Sequence, residues 1–403
     1  MKNRIRLLHV PSGSEAEDLL RGIGVEPYGI ASMAPKMRHC NVLIEGLTPK
    51  VANIIKQEML SQGGDAAVAR GTVDCSVKRT DVLIMGTVKQ LLRFADKLAL
   101  QPFGLKDVSS DIRELLANAG WREYVLKTPR REIRLTGRTL VMGVINMTPD
   151  SFSDGGMIAD ARQGLRQAVR LIGEGADILD VGGESSRPGA GPVPLKEELR
   201  RVIPLIRLIT AETDVPVSID TVKAEVARRA VEAGAEIVND ITALRGDRQM
   251  ARVVAAAGVP VVLMHMRGTP RTMQKGDLRY RSLLGEILHF LDERIGKAVS
   301  AGVSRDRIVV DPGIGFGKSV EDNLRLIRHL GEFKGLGCPV CVGVSRKHFT
   351  GKITGVEKPS ERVEGTAAAV TAAILNGADI VRVHDVGIMK RVAAMADAVR
   401  GGR

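Results

Sequence analysis

Eight short apolar runs recur between residues 140 and 386, and nearly every one ends in side chains able to do chemistry. They span residues 140–147, 177–184, 216–221, 236–241, 260–266, 307–313, 339–347 and 379–385. At or near their C-terminal ends stand Asn146, Asp180, Asp220, Asn239, Met264 with His265, Asp311, Lys347, and Arg382 with His384. Amphipathic stretches such as 163–173, 222–233 and 366–376 lie between the runs, so strand and helix alternate eight times within about 250 residues. That is the count and length of a (β/α)8 TIM barrel, whose active sites gather at the C-terminal rim of the strands. The expected architecture is α/β: a barrel over residues 136–403 preceded by a small α/β domain over 1–135.

The first 135 residues have a different texture. Residues 41–46 and 82–86 read as strands, each followed by a helical stretch, 49–61 and 88–97, which gives a weak internal duplication. Residues 110–119 read as a helix capped by Ser110 or Asp111, and the charged stretch 127–134 around Pro129 reads as a linker. No catalytic constellation stands in this part, so its expected role is interaction, regulation or packing.

Several classes are excluded by bulk properties. The longest apolar stretch, 253–266, contains Gly258 and Pro260, so no membrane span is expected. The chain opens on charged residues without an apolar export segment, and a cytoplasmic location is expected. Four cysteines argue against a disulfide scaffold; Cys338 and Cys341 bracket a strand and should face opposite sides of it, which makes a redox or zinc pair unattractive. The net charge of +12 fits nucleic acid or an anionic substrate. One Trp, three Tyr and seven Phe leave little for base stacking, and no run of five Lys or Arg forms a basic tail, which favours a small anion.

The loops after the strands carry the chemistry. Gly143-Val-Ile-Asn-Met-Thr-Pro-Asp-Ser-Phe-Ser-Asp-Gly-Gly156 leaves a strand for hydroxyls, carboxylates and paired glycines, suited to a polyanion or to Mg²⁺, although the same residues also make ordinary turns. Asp180-Val-Gly-Gly-Glu-Ser-Ser-Arg-Pro-Gly-Ala-Gly191 presents Arg187, whose fork suits phosphate oxygens; the alternative is pairing with Asp180 or Glu184. Asp220, Asn239 and Asp311 on neighbouring strands fit a fused heteroaromatic ring with an amidine-like edge. Asp311-Pro-Gly-Ile-Gly-Phe-Gly-Lys-Ser319 is neither a Walker A loop, because Pro312 stands where glycine is needed, nor a dinucleotide fingerprint, because Lys318 does. It remains a glycine-rich turn with Phe316 placed to stack on a planar ring and Ser319 as a helix cap. In the last run Arg382 and His384 alternate with Val381 and Val383, which points the polar pair into the mouth as an anion site.

Taken in order, Asn146-Met-Thr-Pro-Asp-Ser-Phe-Ser-Asp-Gly-Gly156, Asp180-Val-Gly-Gly-Glu-Ser-Ser-Arg-Pro-Gly189, Asp311-Pro-Gly-Ile-Gly-Phe-Gly-Lys318, Ser345-Arg-Lys347 and Arg382-Val-His-Asp385 resemble the dihydropteroate synthases over about residues 138–400. The resemblance implies a sulfonamide-sensitive TIM-barrel transferase that joins 6-hydroxymethyl-7,8-dihydropterin pyrophosphate to 4-aminobenzoate with Mg²⁺ present. It implies a pterin pocket of Asp220, Asn239, Met264, Asp311, Phe316 and Lys347. Pyrophosphate falls to Asn146, Arg187, Arg382 and His384, and Mg²⁺ to Asn146 and Asp154. Phe152, Pro188 and Lys347 fall on the 4-aminobenzoate side. Asn146, Arg187, Asp220, Lys347, Arg382 and His384 are the expected catalytic set, and a homodimer is the expected assembly. Ser186 and His348 depart from residues common in the family, Thr and Ser; Ser186 keeps the hydroxyl. Two rivals stand beside this reading: a pterin-binding barrel passing a methyl group from a folate to a corrinoid protein, and a non-catalytic, nucleic-acid-associated protein.

Overall fold

The computed structural model describes residues 5–8, 10, 12–119, 123–147, 161–187 and 189–401. The chain divides into two compact units, Met1–Trp121 and Arg122–Arg403.

In the first unit, strands β1 (His39–Leu47), β2 (Asp65–Val68) and β3 (Thr80–Thr87) form an antiparallel sheet in the order β1-β3-β2. The apolar face carrying Val42, Val82 and Ile84 packs on Ile55 of helix Pro49–Ser61 and on Leu91, Phe94 and Leu98 of helix Val88–Leu98. Both expected strands and both expected helices are present. Strand β2, Asp-Ala-Ala-Val, is too short to show alternation in the sequence. The helix expected from residue 110 starts at Leu105, after Gly104 in the left-handed region at φ +77°. Ser110 and Asp111 therefore lie inside it rather than capping it, and the neighbouring Ser109 donates its buried hydroxyl to Ala95 O at 2.6 Å.

The second unit opens with a hairpin, β4 (Tyr124–Lys127) and β5 (Glu132–Leu135). The stretch expected as a linker is thus structured, and it belongs with the barrel, which moves the boundary from 135/136 to 121/122. The barrel strands follow: β6 (Leu140–Asn146), β7 (Ile178–Gly182), β8 (Val217–Asp220), β9 (Ile237–Asp240), β10 (Val261–Met264), β11 (Ile308–Asp311), β12 (Cys341–Val342) and β13 (Ile380–Val383). All pair in parallel in the order β11-β10-β9-β8-β7-β6-β13-β12. A parallel bridge between Val310 and Val340 closes the ring, with Val310 N donating to Pro339 O at 2.9 Å.

Alternation along the strands sorts the side chains. Val141, Leu179, Val261, Val381 and Val383 face the helical ring, whereas Leu140, Met142, Ile178, Ile237, Val262, Val309, Cys341 and Ile380 fill the interior near the N-terminal pole. Leu126, Ile133 and Leu135 of the hairpin join that interior cluster and cover the pole. The hairpin is pinned there by Glu236, which accepts from Thr128 Oγ1 at 2.6 Å and from Arg131 Nε at 3.2 Å. Cys338 and Cys341 fall in the outer and inner clusters, on opposite sides of the strand layer, both buried and unpaired. With one pole filled, the opposite rim is left to build a site.

Candidate active site

The rim forms two connected chambers. The inner recess is lined by Asp220 from the end of β8, Asn239 from β9, Met264 and Asp311 from the ends of β10 and β11, Phe316 from the glycine-rich loop, and Lys347. All six residues assigned to the pterin thus meet in one place, joined by Ser186, Ile241, Ile314 and Arg382. Lys347 Nζ lies 4.2 Å from the centroid of the Phe316 ring, a cation–π contact at the mouth of the recess. Asp311 is oriented by the Gly313 amide, which donates to its Oδ1 at 2.7 Å.

Burial shifts the charges here. It pushes the Asp220 carboxyl up to about 7, against the pull of Arg382 and with the help of Asp180, Glu198 and Asp240. It raises Asp311 to about 6, opposed by the Gly313 hydrogen bond and by Lys347, Lys318 and Arg382. Lys347 is lowered to about 8, first by burial and then by Arg382. The recess therefore holds two carboxyls and an amine that all titrate within reach of neutrality.

The outer chamber, about 670 Å³, is lined by Asn146, Ser186, Arg187, Arg382 and His384 together with Lys347 and His348. The four residues assigned to pyrophosphate are all on its wall, and Arg382 and Lys347 belong to both chambers. Arg382 does not present an unencumbered fork, because its Nε donates to Asp180 Oδ2 at 2.6 Å and its Nη2 to Asp220 Oδ2 at 2.9 Å. His384 Nδ1 lies 3.1 Å from Ser345 Oγ. Burial, aided by Arg346, Arg382, Arg187 and Lys347, holds its imidazole well below the usual range. In the anion site expected of it, His384 therefore serves as a neutral hydrogen-bonding group rather than as a cation. Phe152, Asp154 and Pro188 lie outside the described residues.

The loops are held by buried polar contacts. Lys318, at the end of the glycine-rich loop, reaches His265 Nδ1 at 2.9 Å and donates to Phe316 O at 3.0 Å, tying Phe316 back to the end of β10. Gly313, at φ +70°, has no room for a side chain: a Cβ there would sit 1.9 Å from His265 O. Ser319 caps the next helix, accepting from Asp322 N at 3.0 Å. Lys223 pairs with both Glu184 and the fully buried Glu198, which fastens the Ser185–Arg187 loop to the strand β8 side. Glu184 is thereby committed to Lys223 and Asp180 to Arg382 and Asn239.

Residues 142–384 match the family described as pterin binding enzyme. A dihydropteroate synthase of Synechocystis is 49% identical over 262 residues, 65% of this chain and 90% of the relative. A probable bifunctional folylpolyglutamate synthase/dihydropteroate synthase of Halobacterium salinarum is 40% identical over 396 residues, 98% of this chain and 47% of the relative. The solved Xanthomonas albilineans dihydropteroate synthase with 4-aminobenzoic acid superposes with a TM-score of 0.64 at 46% identity, covering 69% of this chain and 99% of that one.

The chain belongs to the pterin-binding enzyme family, among its dihydropteroate synthases. It is a transferase of folate biosynthesis built on a TIM barrel.

Within that family frame, the donors available to Mg²⁺ can be weighed. Among the described residues no group of three His, Cys, Asp or Glu side chains is arranged to hold a metal ion. Mg²⁺ characteristically keeps most of its ligands from phosphate oxygens and water, with one or two from protein. The Asn146 amide oxygen, on the wall of the outer chamber, fits that pattern. The sequence reading missed two roles in the site: Ser345, two positions before Lys347, is the partner of His384, and Asp180, noted as a strand end and a possible partner of Arg187, holds Arg382 and Asn239.

Proposed function

We propose that the barrel condenses 6-hydroxymethyl-7,8-dihydropterin pyrophosphate with 4-aminobenzoate, giving 7,8-dihydropteroate and pyrophosphate. The observation that carries the reading is the convergence of Asp220, Asn239, Met264, Asp311, Phe316 and Lys347 in a recess that opens directly onto Asn146, Arg187, Arg382 and His384. Two carboxylates and an amide match the N–H-rich edge of a pterin, and Phe316 offers a face for its rings. Two guanidiniums, a neutral imidazole and an amide line the outer chamber, a set of donors suited to a diphosphate.

In the reaction the methylene C–O bond breaks and its electron pair leaves with the diphosphate oxygen. Positive charge on the methylene is delocalised into the dihydropterin, where the Asp220 and Asp311 carboxylates stabilise it. Arg187 and Arg382 take up the negative charge growing on the leaving group, and His384 donates a hydrogen bond to it. Asn146, together with Asp154 as the resemblance implies, would hold Mg²⁺ at the diphosphate, where the ion would neutralise further charge on the leaving group. The arylamine nitrogen then forms the new N–C bond and loses a proton. Because an arylamine is a weak nucleophile, the loops bearing Phe152 and Pro188 contribute chiefly position and exclusion of water, with Lys347 alongside.

The reading includes a cytoplasmic homodimer acting on small molecules, inhibited by sulfonamides that compete with 4-aminobenzoate. It is tested with purified protein, Mg²⁺, the pterin pyrophosphate and labelled 4-aminobenzoate, followed by chromatography. Absence of labelled dihydropteroate, or methyl transfer from a methylated folate instead, refutes it. Sedimentation tests the dimer, and a salt titration of nucleic-acid binding tests the exclusion of that partner.

A further inference from the structure

Asp180 lines neither chamber, yet two residues that do are held by one of its oxygens. Its Oδ2 accepts from Arg382 Nε at 2.6 Å and from Asn239 Nδ2 at 3.1 Å. The residue is fully buried within β7, and its Oδ1 has no hydrogen-bond partner among the described residues. A buried carboxylate with one oxygen unsatisfied costs stability, so packing is a poor explanation for its charge.

What the carboxylate imposes is direction. A carboxamide has a donor end and an acceptor end, and beside Asp180 only the donor end is favourable, because the reversed amide would set a carbonyl against a carboxylate. We propose that Asp180 is a positioning residue that sets the hydrogen-bond polarity of the recess, locking Asn239 so that its amide oxygen is offered to an N–H donor of the ligand while steadying Arg382 beside it. The inference rests on the pterin reading above. With Asp220 and Asp311 also offering carboxylate oxygens, the recess favours a 2-amino-4-oxopteridine over a 2,4-dioxopteridine, in which a carbonyl replaces the amine donor.

The test is isothermal titration of the full chain with 6-hydroxymethylpterin and its 2,4-dioxo analogue. The wild type is expected to prefer the amino compound. In Asp180→Asn, a neutral neighbour lets the Asn239 amide reverse, so affinity for the amino compound falls at least tenfold and the preference narrows at least tenfold. A residue with only a structural role would weaken both ligands alike; an unchanged ratio overturns the proposal while leaving the pterin reading intact. A wild type that binds neither ligand overturns both. Should Asp180→Asn fail to fold, wild-type protein labelled with ¹⁵N-asparagine decides, its Asn239 side-chain signal assigned by its loss in Asn239→Asp. Slow exchange of that amide supports the proposal, and exchange as fast as that of an exposed amide overturns it.

Discussion

Arg382 Nη2 donates to Asp220 Oδ2 across 2.9 Å, tying the end of β13 to the end of β8 over the barrel mouth. The pair joins a residue assigned to pyrophosphate to one assigned to the pterin, so the two halves of the site are not independent. From sequence, Arg382→Ala is expected to weaken pyrophosphate binding while sparing the pterin. The pairing changes that expectation: removing Arg382 strips Asp180 and Asp220 of their cation. Titration calorimetry should show both ligands weakened at pH 7, with destabilisation on the order of 3 kcal/mol because buried charges lose their partner. Retention of full pterin affinity would contradict the coupling.

Asp220→Asn should lower dihydropteroate formation more than tenfold, through loss of a buried carboxylate acceptor. Its pH signature is more specific. With the folded carboxyl near 7 against an ordinary 3.8, the acceptor form grows as pH rises through neutrality, so wild-type pterin affinity should climb from pH 6 to pH 8. In the same interval stability runs the other way. The folded state holds the extra proton between about pH 4 and 7, so stability declines as pH rises through that window. Asp220→Asn should flatten this contribution to both slopes, which denaturant midpoints and titrations at pH 5, 6, 7 and 8 will reveal.

Lys347 supplies the alkaline limb. Lowered to about 8, its ammonium is lost above that pH, and kcat/KM should fall there. Lys347→Met should lose at least tenfold in kcat/KM and also lose the alkaline limb. A decline above pH 8 that persists in this variant would assign the limb elsewhere.

Gly313→Ala tests the loop geometry. The left-handed backbone and the 1.9 Å approach of a Cβ to His265 O leave no accommodation short of moving the loop. Thermal melting should register a loss of at least about 2 kcal/mol, and Asp311 and Phe316 should lose their positions in the recess.

Truncation distinguishes the two boundaries. A chain starting at Thr136 discards Leu126, Ile133 and Leu135, all buried against the barrel interior, at about 1.5–3 kcal/mol for each. A chain comprising residues 123–403 keeps the hairpin. The longer form should melt well above the shorter one; equal melting temperatures would show that the hairpin contributes nothing.

The rim of the barrel was legible because its signals are local. Short, nearly continuous apolar runs such as 140–146 and 380–383 announce buried strands, and the polar residues at or near their ends announce which pole is functional. The same locality explains why Arg382 and His384 could be pointed into the mouth from their alternation with Val381 and Val383. The run read as a strand over 339–347 is a strand only at Cys341–Val342, with Lys347 at the start of the next helix, and the hairpin, whose charged turn looks like a linker, has strands of only four residues each.

What the sequence determined by itself was the inventory: eight strand ends, the residues standing on them, and the chemistry those residues can perform. Only the tertiary structure decided how they are paired. Asp180 and Arg382 lie 202 positions apart and meet because the sheet curls until β13 hydrogen-bonds to β6, beside β7. Burial in that closed ring then neutralises His384 and brings Asp220 and Lys347 toward neutral pH, since removing water penalises whichever form carries charge. Neither closure nor desolvation is a property of any one segment.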